Sequence, residues 1–161
     1  MGRRAPGGRR DLRARRSADR RVGAGQAPVT ATSRILLDTS VVIDMGSVDL
    51  GAHASAPAAL STVTIAELSY GLDVDDPVER LARSRRLERA LTAFEILPFD
   101  VDAARLYGTL ASLVRHNGRN PRPRRLDLQI AATAAAHRLP LLTRNPADFV
   151  DVVRVVEVIE I

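Results

Sequence analysis

The chain has 161 residues, 45% of them apolar, with 24 arginines, no lysine and no cysteine. That suffices for one domain with a real core plus a tail, and it excludes disulfides, thiolate zinc sites, lysine-dependent P-loops and Schiff-base catalysis. The net charge of +5 belongs to one end: residues 1–33 carry nine Arg against Asp11 and Asp19, whereas residues 34–161 carry fifteen Arg against seventeen acids.

Residues 1–33 are rich in Arg, Gly, Ala and Pro, with Leu12, Val22 and Val29 the only large aliphatics. Such a segment buries too little to order itself, so it reads as a disordered basic tail. It is either a nucleic-acid-contacting arm or a leader translated from a start codon set too far upstream. It has no apolar stretch of signal-peptide type, and no 18-residue apolar run occurs anywhere. No membrane contact and a cytoplasmic location are therefore expected.

Order is predicted to begin at Arg34. Ile35–Leu37 reads as a short buried strand and Thr39–Met45 as a turn into a short helix. Residues 46–59 read as loop, and Thr64–Leu72 as helix. Pro77–Phe94 is predicted as an amphipathic helix, with Val78, Leu81, Leu87, Leu91 and Phe94 near one face and five arginines on the other. Glu95–Phe99 reads as a strand, and Asp100 is placed to cap a helix over Val101–His116. Residues 117–125 read as loop, Leu126–Arg138 as an alanine-rich buried helix, Leu139–Thr143 as a strand, Pro146–Phe149 as a turn and Val152–Ile159 as a last β-branched strand. Short strands alternating with helices predict a three-layer α/β/α domain over residues 34–161, with a mostly parallel sheet. Ligands of such sheets bind outside the carboxyl ends of the strands.

Acids and amides sit where those breaks meet apolar runs. Asp38 ends Ile35-Leu36-Leu37, and it either caps the next helix or offers a carboxylate that Ser40, capping instead, sets free. Thr64 and Glu67 fit a capping box, or Glu67 projects toward the sheet edge. Asp127 is a helix-start acid favoured by the dipole, or a carboxylate aimed at Asp38. Asn145 and Asp148 flank Pro146, in an Asx turn or in a site. If these ends converge, their carboxylates need a hard cation such as Mg2+ or Mn2+. His53, His116 and His137 show no paired spacing, and the latter two end helices, where a cation is favoured.

Taken together, Ile35-Leu36-Leu37-Asp38-Thr39-Ser40-Val41, Thr64-Ile65-Ala66-Glu67-Leu68, Asp127-Leu128-Gln129-Ile130-Ala131-Ala132-Thr133-Ala134 and Leu142-Thr143-Arg144-Asn145 resemble the four signature blocks of PIN-domain ribonucleases, above all the VapC-type toxins of bacterial type II toxin–antitoxin pairs. The resemblance spans residues 34–161 and leaves the tail outside. It implies that Asp38, Glu67 and Asp127 bind the metal, supported by Ser40 and Thr143. Asn145 stands where many relatives carry Asp, and Asp148 is placed to supply the missing carboxylate. It further implies metal-dependent hydrolysis of RNA to a 5′-phosphate and a 3′-hydroxyl, and an antitoxin whose C-terminal segment masks the acidic groove. The apolar face of Pro77–Phe94 is offered to that antitoxin, to a homodimer or to the core.

Substrate grip is expected from Arg119, Arg122, Arg124, Arg125 and Arg144, because guanidinium binds phosphate bidentately. With three Phe, two Tyr and no Trp, stacking is expected to contribute little. A non-catalytic RNA-binding or interaction module remains the alternative. A phospho-receiver domain, which normally uses a lysine at its active edge, stands well behind.

Overall fold

The computed structural model describes residues 34–161. The tail reading of residues 1–33 lies outside the described residues. Five parallel strands form one sheet: β1 (Ile35–Leu37), β2 (Ala58–Ser61), β3 (Glu95–Leu97), β4 (Leu141–Thr143) and β5 (Val158–Glu160), in the order β3-β2-β1-β4-β5. The helices are α1 (Thr39–Ile43), α2 (Thr62–Tyr70), α3 (Pro77–Ala93), α4 (Val101–His116) and α5 (Arg125–His137).

The central strands are apolar on both sides because helices cover both faces. Strand alternation splits them cleanly. Leu36, Ala59 and Leu141 join one core with α4 and α5; Ile35, Leu37, Leu60 and Leu142 join a second with α1, α2 and α3. Asp100 caps α4 as expected, its Oδ1 accepting from the Ala103 amide at 2.9 Å.

Four expectations need correction. Residues 58–61, read as loop, are a strand paired on both sides. Ala-Ala-Leu-Ser has little intrinsic β-propensity, so its neighbours decide. In consequence α2 starts at Thr62, and its cap is Ser61, whose Oγ accepts from the Val63 amide at 3.2 Å. The Thr64/Glu67 capping box does not form: Glu67 is a mid-helix residue. The β-branched run from Val152 is mostly turn, because Val152 and Val156, four apart, both insert into the core; only Val158–Glu160 pairs. Finally, the apolar face of α3 divides: Leu87 and Phe94 pack against the second core, and the rest of it does not. Ala90 is its one buried residue, while Val78 (74% exposed), Leu81 and Leu91 face outward.

Candidate active site at the carboxyl edge of the sheet

Asp38 leaves the end of β1 and is buried. It occupies the position before α1 yet makes no capping bond, so its carboxylate is committed elsewhere. Its Oδ2 accepts from Ser40 Oγ at 2.6 Å and from Thr143 Oγ1 at 2.9 Å. Both hydroxyls are held in the donating sense. Ser40 Oγ accepts from the Arg144 amide at 3.2 Å, and Thr143 Oγ1 from the Asn145 amide at 3.0 Å. A hydroxyl that accepts one N–H turns its own proton outward, here onto Asp38. The loop after β4 thus orients the carboxylate that follows β1.

Glu67 projects from α2, half-buried, and its Oε2 accepts from Thr39 Oγ1 at 2.5 Å. Burial raises its pKa; the Thr39 bond opposes that and the Asp38 charge adds to it. Asp127 lies in the first turn of α5. Burial first, then the charges of Asp38, Asp148 and Glu67, push its pKa up to about 6, with Arg124 pulling the other way. Four carboxylates from four chain segments therefore share one field.

They do not close on a point. Among the described residues no three of His, Cys, Asp or Glu are gathered tightly enough to hold a metal ion directly. Like charges repel, and Asp38 and Glu67 are each tied to hydroxyls. Asn145 is exposed and makes no capping bond with its side chain, so the Asx-turn reading of it fails. Asp148 faces Arg124 at 3.6 Å.

The expected RNA-contacting arginines divide. Arg124 also donates to the Ala147 and Asp148 carbonyls at 3.2 Å, Arg119 pairs with Asp151 at 3.3 Å, and Arg144 pairs with Asp44. Arg122 and Arg125 are exposed, with no ion-pair partner among the described residues. Sequence reasoning missed Thr39, although a hydroxyl directly after Asp38 was the available signal. It also missed Asp44, which carries no local signal because its partner is a hundred residues away.

Asp38 and Thr143 flank the junction of β1 and β4, where the connections turn from one side of the sheet to the other. That is the crevice where open parallel sheets bind ligands. Fold and site thus define an α/β domain with an acidic centre at its topological switch point. A PIN domain model matches residues 35–154, and the chain belongs to that family. It is similar to the VapC ribonuclease Y4jK of Sinorhizobium fredii, 32% identical over 127 residues, covering 71% of this chain and 89% of that protein. It is likewise similar to Ribonuclease VapC5 of Mycobacterium tuberculosis, 36% identical over 112 residues, covering 68% and 82%. Among solved structures it resembles VapBC-5, a member of the VapBC family of toxin–antitoxin systems from M. tuberculosis. There the identity is 34% and the TM-score 0.65, over 80% of this chain and 98% of that one.

Proposed function

We propose that this protein is the ribonuclease toxin of a toxin–antitoxin pair, hydrolysing RNA phosphodiester bonds and silenced by a cognate antitoxin. Family membership and the relatives named above support the activity and the partner. The observation that carries the chemistry is the shared field of Asp38, Glu67, Asp127 and Asp148. The donor set is all hard oxygen, with no thiol or imidazole, which fits Mg2+ or Mn2+. Mg2+ binds through one or two carboxylates and keeps several waters, so a closed trio is not required.

Asp38, Glu67 and Asp127 would hold the cation, with Asn145 and Asp148 at its rim. When bound, it would supply charge neutralisation and an activated water. The chain's own residues do the positioning. Ser40 and Thr143 fix the Asp38 carboxylate, and Thr39 fixes that of Glu67. Arg122 and Arg125, unpaired among the described residues, would take substrate phosphates, and Arg119, Arg124 and Arg144 would exchange their carboxylates for phosphate. Location in the cytoplasm and a homodimer belong to the same proposal. In it, Val78, Leu81 and Leu91 offer apolar surface to a second copy or to the antitoxin.

A second reading, a non-catalytic RNA-binding module, draws on Asn145 and on the missing ligand trio among the described residues. One experiment separates the two. Purified protein and its Asp38→Asn variant are incubated with labelled RNA, with Mn2+ or with chelator. Cleavage is expected only for the unaltered chain with metal, and the variant is expected to fall by at least about a hundredfold. Equal cutting by both would end the nuclease assignment of Asp38, and binding without cutting would favour the module.

A further inference from the structure

A groove of about 810 Å3 opens beside Thr39 and Glu67 and runs to α3 past Tyr70, Arg83 and Arg86. A second groove continues from Ile43 and Asp44 to Arg86 and Arg89. Ile43 and Arg86 line both, so the two form one path leading from the acidic centre along α3.

The cations on this path are not equivalent. Arg83 is spent: it pairs with Glu79 and donates to the Gly71 carbonyl at 2.6 Å. Arg80, just outside, donates to the Val74 carbonyl. Arg86 is half-buried, with neither an acceptor nor a carboxylate among the described residues, and Arg89 meets only the Arg85 carbonyl of its own helix. The acids along the path do not answer them. Asp44 is taken by Arg144, Glu79 by Arg83, and Glu67 faces Thr39. Glu88 lines a neighbouring hollow with Arg85, Arg86 and Arg89 but forms no ion pair with any of them among the described residues. Arg86 and Arg89, three residues apart, lie on one helix face. Tyr70 stands in the first groove, 83% exposed, its ring unburied in the hollow that Arg86 also lines, and Arg89 lines the continuation.

We propose that this path carries the single-stranded RNA substrate away from the acidic centre, with a base stacked on Tyr70 and phosphates on Arg86 and Arg89. The inference rests on the ribonuclease reading and extends it to residues outside the loop arginines. Free guanidinium groups answer phosphodiesters, and an exposed phenol ring on the same path is the pairing that single-strand binders use. An apolar peptide would leave both guanidinium groups uncompensated.

The test uses the full chain. Affinity for a short labelled single-stranded RNA is measured against salt in the Asp38→Asn background, and steady-state cleavage in the unaltered background. The tail is common to every variant, so its arginines cancel in the comparison. Arg86→Ala/Arg89→Ala is expected to weaken binding about tenfold and to flatten the log–log salt slope by about 1.4, since each single-strand phosphate contact contributes about 0.7. Tyr70→Ala is expected to weaken binding by about tenfold with the slope unchanged. In cleavage, KM rises and kcat holds. Arg105→Ala, on α4 across the sheet, leaves both measurements unchanged. Undiminished affinity and slope in the double arginine variant would overturn the inference and leave the groove to a peptide partner, with the nuclease reading intact. Absence of RNA binding and cleavage by the unaltered chain would sink both.

Discussion

Asp127 is the residue on which the site's electrostatics are most visible. Its pKa stands near 6 against an ordinary value of 3.8, raised first by burial and then by three neighbouring carboxylates. The folded state thus holds a proton that the unfolded chain releases. Between about pH 4 and 6 the folded state binds more protons than the unfolded one, so stability falls as pH rises through that window. The loss is complete above pH 6 and absent below about 4. Asp127→Asn removes the charge at near-constant shape. In metal-free protein at pH 7 it is expected to stabilise by about 1 kcal/mol, allowing for solvent screening of a half-exposed group. Urea titrations at pH 7 and pH 4 check this: the gain should be present at the first and gone at the second, while RNA cleavage is lost throughout. A gain of equal size at both would show that the charge is not its source.

At the scale of elements, the site depends on how α2 and α5 are fastened. Ser61 ends β2 and caps α2, and its Oγ lies 3.1 Å from Thr133 Oγ1 on α5, both side chains fully buried. Thr133 Oγ1 donates to the Gln129 carbonyl at 2.9 Å. With Thr133's proton so placed and Ser61 accepting from Val63, the Ser61 proton points to Thr133. The helices bearing Glu67 and Asp127 are thereby joined behind the site. Ser61→Ala removes both cap and bridge and is expected to cost about 2 kcal/mol in chemical denaturation with an unchanged m-value. A cost below a few tenths would exclude the bridge as a fastening. This is also where sequence reading ran short. Asp100 announced its helix because cap and apolar periodicity agreed locally. Ser61 did not, because Ala58–Ser61 is a strand only by virtue of β1 and β3 on either side. Thr64 then looked like the cap three residues too late. Asp38 and Asp127 were legible because one ends and the other begins an apolar run, whereas Glu67, mid-helix in α2, had no such local mark. Of their hydroxyl partners, Ser40 and Thr143 were named only through the family resemblance, since Thr143 reaches Asp38 across 105 positions, and Thr39, which holds Glu67, was not named.

Across the whole molecule, folding sets the acidity of the centre. Asp38, Glu67, Asp127 and Asp148 come from the end of β1, from α2, from α5 and from the turn after β4, so the unfolded chain keeps them far apart. A cation that satisfies them binds the native state and has little to hold in the unfolded one, and its binding free energy therefore appears as global stability. At a concentration a hundred times its Kd, Mn2+ would add about 2.7 kcal/mol. For a domain of this size that corresponds to a Tm rise of about 10 °C. The rise should occur in a single transition, because both cores share the sheet that carries the acids. It should reverse with chelator and be lost in the Asp38→Asn/Asp127→Asn double variant, whose metal-free form already lacks the repulsion. Differential scanning fluorimetry over a Mn2+ series reads all three behaviours. A Tm insensitive to Mn2+ and Mg2+ in the unaltered protein would mean that these four acids do not hold a cation together.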